Sequence, residues 1–516
     1  MMNQISVDTD ISNFPESYWR TYPLQHFPTM TTNNETQVGV IGGGIVGVIT
    51  AYLLTKAGKQ VTLVEARDFL SGVTGHTTAK ITAQHRVIYD ELIRTFGKEN
   101  ARLYYQANIE GLALIKKISE ELEIDCDFEM KKAVVYAKTN KGALQLRKEA
   151  QAYEELGITG FLTEGWLEEL PFNTIATLTM PEQAQFHPVK FLAALIKEIQ
   201  RLGGKIYEQT RAVELKDETT VIMENGTTLH CEKVVVASHY PFNDFNGLYF
   251  SKLTISRSYA LAVQIMGTVP NGMYISVESP TRSLRAIRDK NGKELLLMGG
   301  DSHQTGKSES DTQDHYHNLG KFVQKFFPIQ DIPFHWSAQD MTTLDKVPYI
   351  GQISKGSPDV LVATGFNKWG MAMGAFSGKL LTDLIVKEPT VYAEFFSPTR
   401  GKLEATAIKQ FVTKNATVGK DLIVSKVGKA SLIPEDLQLD EGGLVTVEGE
   451  KLGGYRDEAG QLHLVKTTCT HLGCGLTWNN AERSWDCPCH GSRFSYSGEV
   501  LDGPAVRPLE NRNNIK

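Results

Sequence analysis

Apolar residues near the N-terminus fall in short unbroken runs that predict a parallel β-sheet. Residues 38–41 predict a buried strand, the apolar residues up to about Lys56 predict a helix, and residues 61–64 predict a second strand. Strands buried on both faces of a parallel sheet carry continuous rather than alternating apolar residues. The pattern therefore predicts a βαβ unit. Further along, Asn225-Gly226 predicts a hairpin turn, and Val234–Ala237 predict another buried strand.

The last hundred residues have a different pattern, which predicts a small all-β unit. Ser397–Gly401 interrupt the preceding helical pattern, and a polar, lysine-rich stretch follows to about Lys420. Beyond it, short strand-like runs such as Gly443–Val447 and Leu462–Lys466 recur between Gly, Asp and Asn residues. We therefore expect four parts: an N-terminal segment (1–35), a large α/β region (36–396), a linker (397–420) and a C-terminal domain (421–516).

Composition narrows the classes of function. The chain has 516 residues, a net charge of -6 and a pI of about 6.2, so no basic surface indicates nucleic acid as a partner. The N-terminus lacks the pattern of a signal peptide, and the most apolar stretch, Val38–Leu54, is too short and glycine-rich for a transmembrane segment. Six cysteines, four of them close together, do not resemble a secreted disulfide framework. We expect a cytoplasmic protein with more than one domain.

A glycine fingerprint lies between the first predicted strand and helix. Gly42, Gly44 and Gly47 form G-x-G-x-x-G: the first glycine allows a tight turn, the second lets the backbone approach a pyrophosphate, and the third lets helix and strand pack closely. The N–H groups at the helix N-terminus favour phosphate. Glu65 follows the second strand and can accept hydrogen bonds from ribose hydroxyls. The pattern predicts a dinucleotide site, the alternative being a glycine-rich turn in a plain α/β fold.

Four potential metal ligands lie near the C-terminus in two pairs. Cys469 and His471 form one pair, and Cys487 and His490 form the other, with enough residues between them for a hairpin. Two thiolates can hold one iron and two imidazoles the other, as in a Rieske [2Fe–2S] centre. Structural zinc sites use the same residue types, so ligand identity alone leaves both metals open.

Residues around these ligands make the C-terminal domain resemble the Rieske family. Cys474 and Cys489 match the family's extra cysteine pair, which implies a disulfide between the two cluster loops. Ser492 matches a hydroxyl that hydrogen-bonds a bridging sulfide, and residues 503–505 (Gly-Pro-Ala) match the proline loop that covers the cluster. The resemblance implies a [2Fe–2S] cofactor. Phe494 stands where high-potential members have Tyr, whose hydroxyl donates to a ligand sulfur, so we expect a potential below the top of the Rieske range.

Residues 36–395 resemble the D-amino-acid-oxidase-like family of FAD enzymes. The resemblance rests on the loop 70–80, rich in Gly, Ser and Thr, on Phe186–Val189 before an apolar helix, on Arg211–Val213, and on Val360–Gly365 followed by Gly370, Met371 and Gly374. It implies an α/β Rossmann-like FAD-binding domain with an inserted α+β substrate domain built on an antiparallel sheet, here followed by a small all-β Rieske domain. The implied FAD-binding residues are Gly42, Gly44, Gly47, Glu65, Thr74, Gly75, His76, Thr77, Val213, Gly365 and Met371.

Several single residues have more than one interpretation. His76 lies where dimethylglycine- and sarcosine-dehydrogenase relatives have a His bonded covalently to FAD, and a His that contacts phosphate or flavin without such a bond is the alternative. Arg257 and Tyr259, in a predicted strand of the substrate sheet, are candidate catalytic residues, since Arg suits a substrate carboxylate. Arg285 and Arg288 are equivalent candidates for that role, and a solvated Arg is the more common alternative for each of the three. The sequence identifies no catalytic base.

Electron flow follows from the combination of cofactors. No second G-x-G-x-x-G with flanking strands provides a nicotinamide site, so electrons are expected from an organic substrate bound at the flavin. We expect an amine or amino-acid dehydrogenase that passes electrons from FAD to the [2Fe–2S] cluster and on to an external one-electron acceptor protein or quinone. The alternatives are an FAD oxidase that uses O₂ with a structural cluster, and a redox partner that supplies electrons to an oxygenase.

Overall fold

A computed structural model describes residues 14–244, 247–400 and 432–513. Its α-helices are α1 (Ile45–Lys56), α2 (Tyr89–Glu121), α3 (Asn140–Leu156), α4 (Pro188–Arg201), α5 (Tyr249–Lys252), α6 (Gln313–Phe326), α7 (Gly370–Val386) and α8 (Ala393–Phe396). Short 3₁₀ helices cover Tyr18–Thr21, Val73–His76 and Pro434–Asp436. Among the residues described, no helix has the length and apolar character needed to span a bilayer.

Strands make up most of the remainder. In the N-terminal part (residues 14–400) they are β1 (Asn34–Ile41), β2 (Val61–Val64), β3 (Lys80–Ile81), β4 (Glu129–Ala137), β5 (Phe161–Glu164), β6 (Ala176–Gln185), β7 (Lys205–Tyr207), β8 (Ala212–Lys216), β9 (Thr220–Met223), β10 (Thr228–Val236), β11 (Leu253–Ile265), β12 (Met273–Ser276), β13 (Arg282–Arg288), β14 (Glu294–Gln304), β15 (Ile329–Thr343), β16 (Tyr349–Gln352) and β17 (Val360–Thr364). In the C-terminal domain (residues 432–513) they are β18 (Glu441–Val447), β19 (Glu450–Arg456), β20 (Leu462–Val465), β21 (Thr477–Asn479), β22 (Ser484–Asp486), β23 (Arg493–Ser495) and β24 (Val500–Asp502).

The first sheet contains the predicted βαβ unit. Its order is β16-β17-β10-β1-β2-β7, and the β8–β9 hairpin joins it through β10. β1 is parallel to both β2 and β10, and Ile41 pairs with Val64 and Val236, so these strands end at one edge. Because α1 is enclosed by α4 and α7, it is apolar on all sides. The predicted hairpin at Asn225-Gly226 is confirmed, but the predicted strand Val234–Ala237 is the end of the longer β10.

The second sheet forms the predicted inserted domain. Its order is β15-β11-β14-β13-β12-β4-β6-β3, with β5 added beside β6. All its pairs are antiparallel except β12 with β4. Its strands come from two separate stretches of the chain, β3–β6 and β11–β15, and the chain returns to the first sheet between and after them. The chain therefore passes between the two sheets several times, and the cavities described below lie among these connecting loops.

The C-terminal domain is all-β, as predicted. It has two antiparallel sheets, β18-β19-β20 and β21-β22-β23-β24. Trp485 and Phe494 are fully buried in its core, next to the cysteines of the predicted cluster motif. The predicted linker, 397–420, lies mostly outside the described residues. The last helix before it, α8, ends at Phe396, where the helical pattern of the sequence also ends.

Candidate cofactor sites and substrate cavity

The glycine fingerprint borders a cavity of about 210 Å³ at the carboxyl edge of β1 and β2, here called the smaller cavity. Gly42 has φ of +118°, and a Cβ there would lie 2.4 Å from the Ala237 carbonyl oxygen. A Cβ on Gly47 would lie 1.9 Å from the Gly42 oxygen. A Cβ on Gly44 would approach only Thr74 Oγ1, at 3.2 Å. Gly42 and Gly47 are therefore required by packing, whereas Gly44 leaves space in the cavity, as a pyrophosphate requires.

Side chains from two other elements support this turn. Glu65, directly after β2, accepts from the Gly43 N–H at 2.7 Å and from the Arg67 N–H at 3.0 Å. Thr74 Oγ1 accepts from the Ile45 N–H at 3.1 Å, at the start of α1. Both side chains line the smaller cavity. The site thus has a fixed turn, a helix N-terminus and a carboxylate at its edge, an arrangement that fits a dinucleotide.

The predicted FAD-binding residues divide into two groups. Those that line the smaller cavity are Gly42, Gly44, Glu65, Thr74, Thr77 and Met371. Those outside its lining are Gly47, Gly75, His76, Val213 and Gly365. Gly75 packs against the Leu70 carbonyl oxygen, which a Cβ would approach to 2.1 Å. Arg211 and Ala212 line the cavity in place of their neighbour Val213.

A larger cavity, of about 750 Å³, adjoins the smaller one. It lies between the loop 73–80 and the second sheet, and it includes the side chains of β11, β13 and β14. Four residues line both cavities: Val73, Thr77, Asp340 and Lys368. A group that extends from the smaller cavity past these residues would therefore face the larger cavity. This is the arrangement of a cofactor whose reactive ring meets a substrate.

Lys80 is a half-buried cation in the wall of the larger cavity. Its Nζ donates to Ser283 Oγ, lies 3.4 Å from Thr78 Oγ1, and has no carboxylate within 4.0 Å among the residues described. Burial, reinforced by the nearby Arg285 guanidinium, lowers the pKa of Lys80 to about 7. An anionic group bound in the cavity would restore the charged form of this side chain. The sequence analysis did not single out Lys80, although it is the one Lys, Arg, Asp or Glu between Asp68 and Arg86.

Lys368 and Asp340 lie where the two cavities meet. Lys368 Nζ donates to Ser258 Oγ at 2.8 Å, and burial lowers the pKa of Lys368 to about 8. Burial raises the pKa of the Asp340 carboxyl. Both groups therefore titrate closer to neutral pH than they do in water, which is common at sites that bind or transfer protons.

His76 lies in the larger cavity rather than on the outer surface. Its Nδ1 is 2.9 Å from the Gly72 carbonyl oxygen, and burial lowers the pKa of His76 to about 4. The ring is therefore neutral at pH 7, and because only a protonated Nδ1 can donate to a carbonyl, the Nε2 atom carries the lone pair. The covalent and the non-covalent interpretation of His76 both stay predictions.

The four predicted cluster ligands converge in the C-terminal domain. Cys469 and Cys487 are buried and their thiols share a hydrogen bond, which lowers the pKa of Cys469 to about 6 and raises that of Cys487. The rings of His471 and His490 lie 5.2 Å apart, centroid to centroid. Two thiols and two imidazoles in one enclosed place fit a [2Fe–2S] cluster with two ligands of each kind.

The residues that flank the ligands also lie as the Rieske resemblance implies. Cys474 and Cys489 form a disulfide between the two cluster loops. Ser492 Oγ accepts from the Ala505 N–H at 3.0 Å, which ties the second cluster loop to the proline loop. Residues 501–506, a segment that includes the proline loop, also line the smaller cavity of the N-terminal part. One short segment therefore borders both cofactor sites.

The histidine side of the cluster site faces the N-terminal part of the protein. His471 Nε2 lies 3.1 Å from Asp244 Oδ2, and the two side chains are 4% and 3% exposed. The Phe250 ring lies edge-on to both histidines, at 6.0 Å from His471 and 5.4 Å from His490. Gln339 donates from Nε2 to the Gly491 carbonyl at 2.8 Å. These contacts bring the two parts of the chain together at the cluster site.

The two candidate catalytic residues lie in different places. Arg257 belongs to the interface between the two parts: its NH2 group lies 2.8 Å from Glu482 Oε2, and it lines neither of the two cavities. Tyr259 lines the larger cavity, and its hydroxyl lies 2.9 Å from His303 Nε2. Arg285 is buried against the Thr78 carbonyl, and Arg288 pairs with Glu129 near the surface. Arg257 thus has a structural contact that the sequence pattern could not reveal.

Comparisons with known proteins identify the families of both parts of the chain. Residues 37–384 match the family model for FAD dependent oxidoreductases, and residues 430–513 match the model for the Rieske [2Fe-2S] domain. Over 499 residues the chain is 43% identical to YhfW of Bacillus subtilis (strain 168), named as a Rieske 2Fe-2S iron-sulfur protein, with 96% of this chain and 97% of YhfW covered. The match to the Rieske model decides the choice between iron and zinc.

Further similarities cover about seven tenths of the chain. The chain is 21% identical over 382 residues to gamma-glutamylputrescine oxidoreductase of Escherichia coli (strain K12), with 70% of this chain and 85% of the relative covered. Glycine oxidase from Geobacillus kaustophilus shares its fold, with a TM-score of 0.60, 19% identity, and 72% of this chain and all of that chain covered. The protein therefore belongs to the family of FAD-dependent oxidoreductases and carries a C-terminal Rieske domain, so its cofactors are FAD and a [2Fe–2S] cluster.

Proposed function

We propose that the protein is an amine or amino-acid dehydrogenase in which electrons pass from FAD to the [2Fe–2S] cluster and then to an external one-electron acceptor, a protein or a quinone. The observation that carries this proposal is the segment 501–506, here called the shared wall because it borders both proposed cofactor sites. Residues 501–506 border the smaller cavity, and Ala505 is hydrogen-bonded to Ser492 of the second cluster loop. A single short segment that borders both proposed sites supports direct electron transfer between the two cofactors.

The proposal assigns each cofactor to named residues. FAD is held by the residues that line the smaller cavity, with Gly44 at the pyrophosphate, Glu65 at a ribose and Thr77 near the flavin ring. The cluster is held by Cys469, His471, Cys487 and His490. When bound, FAD supplies two-electron oxidation of a C–H bond next to nitrogen, and the cluster supplies one-electron transfer.

The larger cavity is proposed to hold the substrate, and Lys80 to recognise its negative charge. The class of substrate is supported by two similar proteins, a gamma-glutamylputrescine oxidoreductase and a glycine oxidase. Lys80 has only hydroxyl partners among the residues described, and its charged form is disfavoured by burial. A bound carboxylate would pair with this ammonium and place the C–H bond of the substrate toward the flavin.

A survey of amines and amino acids under anaerobic conditions tests the proposal. A true substrate should bleach the flavin absorbance and then produce the EPR signal of a reduced Rieske cluster. Each substrate gives two electrons and each cluster accepts one, so with substrate limiting at most two clusters are reduced per substrate oxidised. Stoichiometric H₂O₂ in air, with the cluster unchanged, would support an oxidase with a structural cluster instead. Cluster reduction by NADH without any amine would support a redox partner that supplies an oxygenase.

A further inference from the structure

One carboxylate of the N-terminal part contacts a cluster ligand across the interface. Asp244 Oδ2 lies 3.1 Å from Nε2 of His471, and both side chains are almost fully buried. We propose that Asp244 is a positioning residue for the cluster: it orients the His471 imidazole and lowers the reduction potential of the [2Fe–2S] centre. The inference rests on the assignment of His471 as a cluster ligand, which is part of the proposed function.

The position of Asp244 is fixed from two further directions. Its Oδ1 accepts from the Phe250 N–H at 2.9 Å and lies 3.4 Å from the Tyr240 hydroxyl. Tyr240 is buried and lines the smaller cavity, while Phe250 lies edge-on to both cluster histidines. The carboxylate therefore has a defined orientation toward His471. Tyr240 and Asp244 together connect the edge of the FAD site to the ligand.

The contact has the form of a carboxylate–histidine–metal arrangement. Because Asp244 meets Nε2, the nitrogen of His471 that ligates iron would be Nδ1. A ligand imidazole that donates its other N–H to a carboxylate has a fixed orientation and is a more basic ligand. A more basic ligand, together with a nearby negative charge at low dielectric, stabilises the oxidised cluster over the reduced one, which carries one more negative charge.

The alternative is that Asp244 only holds the two parts of the chain together. The interface offers another acidic residue for comparison, Asp311, whose Oδ2 lies 3.4 Å from Asn480 Nδ2 and which contacts no cluster ligand. Removal of either charge weakens the interface, but only the Asp244 charge acts on the ligand His471. The potential of the cluster therefore separates the two roles.

Redox titration of the holoprotein without substrate, monitored by the EPR signal of the reduced cluster, tests the inference. Asp244→Asn keeps the shape and an acceptor oxygen but removes the charge. At a fixed ambient potential it should raise the ratio of reduced to oxidised cluster about tenfold, which for a one-electron couple is about 59 mV. Asp244→Glu, which keeps the charge, and Asp311→Asn should stay within about twofold of the wild type.

Two results would overturn the inference. The first is an Asp244→Asn protein with full iron content and a wild-type ratio. The second is a change in the ratio of reduced to oxidised cluster in Asp311→Asn that equals the change in Asp244→Asn. If Asp244→Asn does not assemble a cluster, Asp244→Glu decides: assembly with a wild-type ratio supports the role of the charge, and failure to assemble contradicts it. Because no substrate is present, these results do not depend on whether the flavin reduces the cluster, which the anaerobic survey measures separately.

Discussion

Three glycines of the fingerprint serve different physical purposes in this protein. Gly42 and Gly47 are pressed against backbone atoms, so any side chain there would disrupt the packing of β1 and α1. Gly44 has only Thr74 Oγ1 nearby and borders the smaller cavity. The spacing of the three residues is a local property, so the sequence alone predicted the site. Which glycine faces the ligand and which faces the core depends on packing against Ala237, nearly two hundred residues away.

Gly44→Ala should therefore weaken FAD binding without unfolding the protein. The added methyl group occupies the space proposed for the pyrophosphate, and we expect the Kd for FAD to rise at least tenfold, about 1.4 kcal/mol. The measurement is FAD titration of deflavinated protein followed by flavin fluorescence. Gly356→Ala, at an exposed glycine where a Cβ meets nothing within 4 Å, is the matched control. Equal FAD affinity in the two variants would contradict the assignment.

Lys80 gives a prediction about pH. Since burial lowers its pKa to about 7 in the free enzyme, Lys80 is charged below that pH and neutral above it. An anionic substrate or carboxylate inhibitor should therefore bind more weakly as the pH rises through about 7. Lys80→Met should bind the inhibitor weakly at every pH. The loss of inhibitor affinity near pH 7, here called the pH step, should therefore be absent from this variant. The measurement is the Kd of the inhibitor from the change in the flavin spectrum between pH 6 and about pH 9.

A control for Lys80 lies in the same cavity. Lys346 also lines it, but its Nζ is 2.6 Å from Glu91 Oε2, so its charge is already compensated. Lys346→Met should keep the pH step of the wild type. If Lys346→Met lost the step, or Lys80→Met kept it, the charge recognised by the substrate would not be that of Lys80.

At the scale of elements, the turn between β21 and β22 makes a buried, charged contact across the interface. Glu482 in this turn pairs with Arg257 of β11 and accepts from the Tyr316 hydroxyl of α6 at 2.7 Å. Burial alone would raise the pKa of Glu482, but the guanidiniums of Arg257 and Arg493 outweigh it and lower the pKa to about 2. The pair joins elements more than two hundred residues apart, so no local sequence pattern could reveal it, and a catalytic role for Arg257 stays a prediction.

Glu482→Gln should destabilise the interface. It removes the closer of the two carboxylates that pair with the buried Arg257 guanidinium and leaves only Asp502, at 3.9 Å, so we expect the free energy of unfolding to fall by up to about 3 kcal/mol. The measurement is the midpoint of the first thermal transition at pH 7. Glu164→Gln, which breaks the exposed pair with Arg147, should change this midpoint little. Equal shifts in the two variants would mean that the buried pair does not stabilise the interface.

The same pair predicts an acid dependence. A carboxylate with a lowered pKa stabilises the fold above its unfolded pKa, near 4.3, and this stabilisation is lost as the pH falls toward 2. The wild type should therefore lose stability in that range faster than Glu482→Gln does. A constant difference in the free energy of unfolding between the two proteins, from pH 7 to about pH 2, would contradict the lowered pKa of Glu482.

Across the whole molecule, the two cofactor sites lie on either side of one interface. The sequence predicted both families and both cofactors, because each motif consists of residues close together in the chain, whereas the individual site residues stay predictions. It did not predict that the histidine side of the cluster faces inward. The contact of His471 with Asp244 spans 227 residues and has no local pattern. The extent of the predicted linker, 397–420, stays a prediction, as does a cytoplasmic location.

Cys487→Ser should separate the two redox steps. The variant should lack the cluster and lose turnover with a one-electron acceptor, because one of two thiolate ligands is missing. With FAD in excess, anaerobic substrate should still bleach its flavin. Iron analysis, EPR and stopped-flow absorbance measure these outcomes. Turnover at the wild-type rate by the variant without its cluster would remove the cluster from the path of the electrons.

The shared wall also links the assembly of the two cofactors. Residues 501–506 close the smaller cavity only while the C-terminal domain holds its folded form, and Arg211 in that cavity donates to the Val500 carbonyl at 3.1 Å. Binding free energies are reciprocal, so if an empty iron site loosens this wall and weakens FAD retention, loss of FAD must weaken cluster retention by the same factor. In an iron-poor cell the population would then tend toward chains that carry both cofactors or neither, and half-loaded chains able to reduce O₂ wastefully would be scarce.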